Sequence, residues 1–192
     1  FSASPLGVVG TVFLGAVFSA IFGMASVYGT AKGLSVAQIS IFVALIYVGG
    51  LVSQFPVGWL SDRMDRRRLI TIVAFLGGAS AVFAVAFSAN FVVLLVSAFL
   101  IGGMANPLYS LLIAYTNDFL GHEDMASASA GMLFINGLGA ITGPLIIGWV
   151  MDTVGPQGFF ILIAVLLLLL TAAARAAAPA ADGAARRRSC GG

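Results

Sequence analysis

The stretch "GWLSDRMDRRRLI", residues 58–70, decides the fold because it places a dense cluster of charge between two long apolar runs. It holds four of the nine Lys and Arg residues and two of the seven acids in a chain of 192 residues. The rest of the chain is very apolar. Overall, 60% of residues are hydrophobic, only 8% are charged, and the mean hydropathy is +1.10. A soluble domain carries roughly a quarter charged residues, enough to cover a surface facing water. A chain this poor in charge needs lipid as the solvent for most of its surface. The pI near 9.0 is no nucleic-acid signal, because the basic residues are few and confined to loops and a tail. No nucleic-acid partner is expected.

Working outward from that loop, six apolar segments appear, at Leu6–Gly29, Val36–Leu60, Leu69–Phe87, Phe91–Thr116, Met125–Met151 and Phe159–Arg175. A helix needs about 20 residues to cross a bilayer core. Lipid offers no partner to exposed backbone groups, so spans must be helices or a closed barrel. Barrel strands alternate apolar and polar residues. "ILIAVLLLLL" and "FVVLLVSAFLIGG" do not alternate, so the reading is six helices. Ser35 with Gln38 forms a capping-box signature before the second span. Asp124 is read as a cap for the fifth, and Pro156 as a turn before the sixth. Spans one, two, three and five are rich in Gly, Ala and Ser, which lets backbones approach closely in lipid. These spans should line the bundle interior. The sixth, nearly all Leu, Ile, Val and Ala, should sit at the lipid-facing edge.

Lys and Arg fix the orientation. With six spans, one side holds Arg63, Arg66, Arg67, Arg68, Arg175 and Arg186–Arg188, and the other only Lys32. The 58–70 loop and both termini are therefore expected in the cytoplasm. Residues 1–175 read as one six-helix domain. Residues 176–192, Ala/Gly/Pro-rich, read as a disordered cytoplasmic tail. The chain has no initiator Met, and "FSASPLG" lacks the basic start of a signal peptide, so it reads as a piece of a longer protein. The single Cys190 cannot form an internal disulfide and does not fit a prenylation box.

No span places an Asp, Glu, Lys, Arg or His at its middle, the usual mark of an ion pathway. Neutral polar groups remain: Tyr28, Tyr47, Gln54, Asn106, Tyr109, Ser110, Tyr115, Asn136 and Thr142. Each has two readings, an interhelical hydrogen bond or a side chain lining a substrate cavity. Tyr28, Tyr47, Gln54, Asn106, Tyr109 and Asn136 are the cavity candidates. Pro107, after Asn106, removes a helical hydrogen bond in mid-span. It either bends the helix at a transport site or only shapes packing. Gly139 and Gly143 share a helix face beside Pro144, for close packing or for a hinge. His122, in "GHED", lacks the further ligands a metal would need. A serine protease at Ser80 would need a membrane-embedded base, which no span offers. No metal or cofactor is expected, and an enzyme is not the reading.

The loop "GWLSDRMDRRR" resembles the signature loop of the major facilitator superfamily, G-x-x-x-D-R-x-G-R-R. Gly58, Asp62, Arg63, Arg66 and Arg67 match, whereas Asp65 stands where the family usually has Gly. "GLSVAQISIFVALIYVGGLVSQFPVGWLSDRMDRRR", "NPLYSLLIAYTNDF" and "GPLIIGWVMD" extend the resemblance to residues 5–175. They look like the carboxy-terminal half of a poorly characterised bacterial subgroup. The resemblance implies one half of a major facilitator fold in a bacterial inner membrane. The other half would be missing and would complete a cavity for a small-molecule substrate. Gly58, Asp62, Arg63, Arg66 and Arg67 would then form a latch between halves. The competing reading is a membrane scaffold or sensor that moves nothing, on the same frame.

Overall fold

A computed structural model describes residues 5–118 and 120–176, so the tail expected to be disordered lies outside the described residues. Among the described residues, six helices are long and apolar enough to cross a membrane. They are α1 Leu6–Ala31, α2 Val36–Ser61, α3 Arg66–Ala86, α4 Phe91–Asn117, α5 His122–Val154 and α6 Gly158–Ala176. All six expected spans are present. They reach further into the loops than hydropathy suggests, because caps rather than composition end them. Ser35 Oγ accepts from the Gln38 N–H at 3.3 Å, and the Gln38 side chain accepts from the Ser35 N–H at 2.9 Å, completing the capping box of α2. Asn90 Oδ1 accepts from the Val92 N–H at 2.9 Å and starts α4. The expected cap at Asp124 is not found. Gly121 is the N-cap of α5, and Glu123 and Asp124 lie in the first turn, where the helix dipole favours negative charge.

The helices pack mainly in four pairs, α2 with α4, α1 with α5, α3 with α6, and α3 with α4. The first two pairs share one device. In α2–α4, a Cβ on Gly49 would overlap the Phe99 carbonyl, and one on Gly102 would overlap the Ile46 carbonyl. In α1–α5, a Cβ on Gly139 would overlap the Val12 carbonyl, and one on Gly15 would overlap the Asn136 carbonyl. Val12 and Gly15 thus stand where Phe99 and Gly102 do, 87 residues on. Ile46 and Gly49 stand where Asn136 and Gly139 do, 90 residues on. The chain therefore contains an internal two-fold that exchanges α1 with α4 and α2 with α5. Because α1 and α4 run in opposite directions, the repeat is inverted. At both crossings glycine is required, since backbone meets backbone.

The sixth span, expected at the lipid-facing edge, is packed along one face. The α6 helix lies against α3, with Leu167 and Leu168 packed over Gly77 and Gly78, and Ile163, Leu167 and Leu170 buried. Its length of Leu gives it one buried face and one outer face. The least buried helices are instead α2 and α5, with 28% of the most apolar window of each covered, against 44–50% in the others. On α2, Leu51, Phe55 and Trp59 form an exposed stripe at four-residue spacing. Their equivalents under the 90-residue shift, Ile141, Leu145 and Trp149, form the same stripe on α5. Small residues in α2 and α5 serve one seam each, and the opposite face of each helix is left uncovered.

At the end away from the basic loop, Tyr28 is fully buried against Phe42, Phe159 and Phe160, with ring centroids 4.9 Å apart for Tyr28–Phe159. This cluster ties α1, α2 and α6 together. Gln157 Nε2 donates to Ser88 Oγ at 3.0 Å, joining the two neighbouring loops at that end. In the middle of α1, residues Ser19–Met24 are π-helical. Under the 87-residue shift this segment corresponds to Asn106–Leu111, which contains Pro107. Both halves of the repeat therefore interrupt the α-helical ladder at the same level, one with a wide turn and one with a missing N–H.

Candidate functional site

The five residues of the 58–70 loop singled out by sequence lie at the junction of α2 and α3, each with surroundings of its own. The α2 helix closes with Met64 N–H donating to the Leu60 carbonyl at 3.0 Å. Asp65 then opens α3. Its Oδ1 accepts from the Arg68 N–H at 2.9 Å, an N-cap bond. That explains the departure from Gly at this position. Aspartate caps well, and Gly is the next tolerated choice for the same backbone shape. Asp65→Ala should therefore cost about 1 kcal/mol of stability, and Asp65→Gly only a few tenths. Thermal unfolding of the two variants side by side checks this, and equal losses would remove the capping role.

The arginines divide their work. The Arg63 guanidinium stacks over the Trp59 ring, 3.7 Å from its centroid. Arg66 reaches across to the end of α4, forming an ion pair with Asp118 and donating to the Ala114 carbonyl at 3.3 Å. That contact pins the start of α3 to the end of α4. Arg67 lines a cavity of about 320 Å³ with Tyr115 and Asp118. The Asp62 backbone N–H, at the C-cap of α2, donates to the Leu60 carbonyl, and its carboxylate makes no ion pair or hydrogen bond among the described residues. The Arg63 guanidinium is turned to Trp59, and that of Arg66 pairs with Asp118.

Asp62 lines a cavity of about 500 Å³ between the basic ends of α2 and α4, together with Gln54, Gly58, Ser61, Arg66, Pro107 and Ser110. No atom lies within 4 Å of where a Gly58 Cβ would be. Gly58 therefore does not make room for any helix among the described residues. A carboxylate in such a place can accept N–H donors.

The cavity candidates separate under the structure. Gln54 lines the 500 Å³ cavity. Tyr47 is half exposed, with its ring 5.0 Å from Phe22, and Tyr109 packs edge-on against Phe18 at 6.2 Å. Tyr28 is corrected: it lies in the buried aromatic cluster and lines no opening. Asn106 and Asn136 belong to the seams. Asn106 Nδ2 donates back to the Gly102 carbonyl at 3.0 Å and fills the space over Gly50. Asn136 Nδ2 donates across to the Thr11 carbonyl at 3.2 Å. Gly139 and Gly143 both face α1, at Val12 and Ala16, and α5 runs unbroken through Pro144. Pro107 stays within α4 and borders the cavity. His122 is the first residue of α5 rather than part of a loop.

Sequence reasoning missed Asp118 and the aromatic pair Phe18 and Phe22. Asp118 was findable: with loops alternating between sides, it ends a span on the same side as Arg66. The Phe residues gave no signal, since nothing in composition distinguishes a cavity-facing ring from a core ring.

Comparison with known proteins bears on the whole chain. The family model described as Major Facilitator Superfamily matches residues 7–188. The uncharacterized MFS-type transporter YfkF of Bacillus subtilis is 30% identical over 76% of this chain and 37% of its own length. The uncharacterized MFS-type transporter YcaD of Escherichia coli is 25% identical over 82% of this chain and 40% of its own. The chain thus spans about two fifths of the length of these relatives. Among solved structures, the POT family transporter PepTSo superimposes with a TM-score of 0.78 at 14% identity, covering 91% of this chain and 37% of that one. An auto-inhibited POT family peptide transporter gives 0.75 at 17% identity. With the loop, the seams and the family model in agreement, this integral membrane chain belongs to the Major Facilitator Superfamily.

Proposed function

We propose that the chain is the carboxy-terminal six-helix half of a secondary transporter. It would move a small molecule by alternating access, with a second half packed against it in a bacterial inner membrane. The observation that carries this reading is the unpaired Asp62 carboxylate beside the open Gly58, in a cavity that no helix of this chain fills. The uncovered stripes on α2 and α5 support it, because two equivalent exposed faces suit a partner built on the same plan. The share of the relatives' length that is matched leaves room for such a half. By the excess of Arg, the Asp62 end faces the cytoplasm. The basic loop would also meet lipid headgroups there. The substrate would sit near mid-depth between the halves, which rock around it.

The test needs no known substrate. In the full-length protein in vesicles, on a cysteine-free background, Tyr47→Cys is placed on the face toward the second half. Val165→Cys, on the outer face of α6, serves as the lipid control. A charged, water-soluble methanethiosulfonate should label Tyr47→Cys from either side of the membrane and Val165→Cys from neither. Labelling of Tyr47→Cys from one side only would leave a static membrane protein, the scaffold reading.

A further inference from the structure

The uncovered side of this half carries a connected run of aromatic rings at mid-depth. Tyr109 on α4 meets Phe18 edge-on at 6.2 Å, Phe18 lies 5.8 Å from Phe22, and Phe22 lies 5.0 Å from Tyr47 on α2. Three helices contribute. Phe22 and Tyr47 are exposed, at 37% and 50%, while Phe18 and Tyr109 are half-buried behind them. Phe22 stands in the π-helical segment Ser19–Met24, which widens α1 by an extra residue at this level. Gly23 follows it, and no atom lies within 4 Å of where its Cβ would be, so open space adjoins the Phe22 ring.

Two features say what chemistry fits there. The hydroxyls of Tyr47 and Tyr109 make no hydrogen bond among the described residues. They are donors without acceptors on a face otherwise apolar. Second, no Lys, Arg, Asp or Glu stands on the central turns of α1, α2 or α4. An anionic guest would meet no cation here. A planar ring stacks on Phe22 and Tyr47, and a positive charge spread over that ring gains from the ring faces without a carboxylate.

The geometry points to a binding platform for planar aromatic molecules that are not anionic, formed by Phe18, Phe22, Tyr47 and Tyr109. This rests on the transporter reading above and names its substrate class. The probe is proflavine, a planar aromatic monocation, with fluorescein as the planar aromatic anion. Binding to the full-length protein in nanodiscs is read by fluorescence anisotropy against empty nanodiscs.

Proflavine should bind, and fluorescein should bind at least tenfold more weakly. Phe22→Ala and Tyr47→Ala should each weaken proflavine about tenfold, as expected for loss of one stacked ring. Phe22→Tyr should restore binding. Gly23→Leu reaches into that space without meeting an atom of this half, and should also weaken proflavine. No binding of proflavine, equal binding of fluorescein, or full binding by both alanine variants and Gly23→Leu would each overturn the platform. None of these outcomes touches the transporter reading, which stands or falls on two-sided labelling of Tyr47→Cys.

Discussion

Leucine at Gly49 is expected to unfold or split the α2–α4 pair, at a cost of about 3 kcal/mol or more. A Cβ there would overlap the Phe99 carbonyl, and backbone has no rotamer by which to move away. Overpacking usually costs about 1–3 kcal/mol because side chains can shift. Here the helices themselves must part, and with them the contacts along 26- and 27-residue spans. The internal two-fold makes the prediction sharper. Gly139→Leu, the equivalent residue in α5, should cost the same, since its Cβ would meet the Val12 carbonyl in the same way. Gly148→Leu, with no atom within 4 Å of its Cβ, should be tolerated. Unfolding of the three variants by titration with sodium dodecyl sulfate checks this. A large loss at Gly49 with none at Gly139 would mean that the two seams do not bear equal weight.

The second large effect concerns Asp62. If its carboxylate receives N–H donors from the second half, the contact closes the cytoplasmic end and holds the transporter open to the opposite side. A hydrogen bond to a charged group contributes about 1.5–3 kcal/mol. Asparagine keeps the shape and one acceptor but loses the charge. Asp62→Asn should therefore shift the two-state balance about tenfold or more toward the cytoplasm-open state. In Tyr47→Cys labelling, the ratio of cytoplasmic to outside reaction should rise by that factor, while insertion and the amount of protein stay normal. An unchanged ratio would reduce Asp62 to a helix end with no latch role. Arg66 gives the contrast. Its ion pair with Asp118 lies within this half, so Asp118→Asn should loosen the α3–α4 corner and lower stability rather than shift the balance.

Much of this was legible in the sequence because lipid is a demanding solvent. Six apolar runs of span length, with Ser35 and Gln38 in a capping box, fix six helices almost without reference to tertiary structure. The proposed sidedness rests on the arginine excess alone. Gly139 and Gly143 announced a close crossing by their spacing. What did not show was which face of each helix is turned where. The α6 helix has too little polar marking to reveal that Ile163, Leu167 and Leu170 face inward. Tyr28 and Tyr47 look alike on paper, yet one is sealed among phenylalanines and the other is open. Asn106 and Asn136 were ambiguous because a polar group in a span must find a partner, and a backbone carbonyl serves as well as a substrate. The Asp65 cap was hidden by the motif itself, since a Gly in the pattern drew attention to what was absent.

The π-helical turn at Ser19–Met24 has a consequence for chain length. Such a turn closes i to i+5 hydrogen bonds and so absorbs about one residue more than an α-helical turn. The glycine seams to α5 lie mostly before it, at Val12, Gly15 and Ala16, and the aromatic rivet at Tyr28 lies after it. An insertion or deletion of a single residue in α1 would rotate everything beyond it by about a quarter turn if the helix were uniform. At this one place the change is taken up locally. The span can gain or lose a residue here while its two ends keep their neighbours, which makes the segment a length adjuster within an otherwise rigid frame.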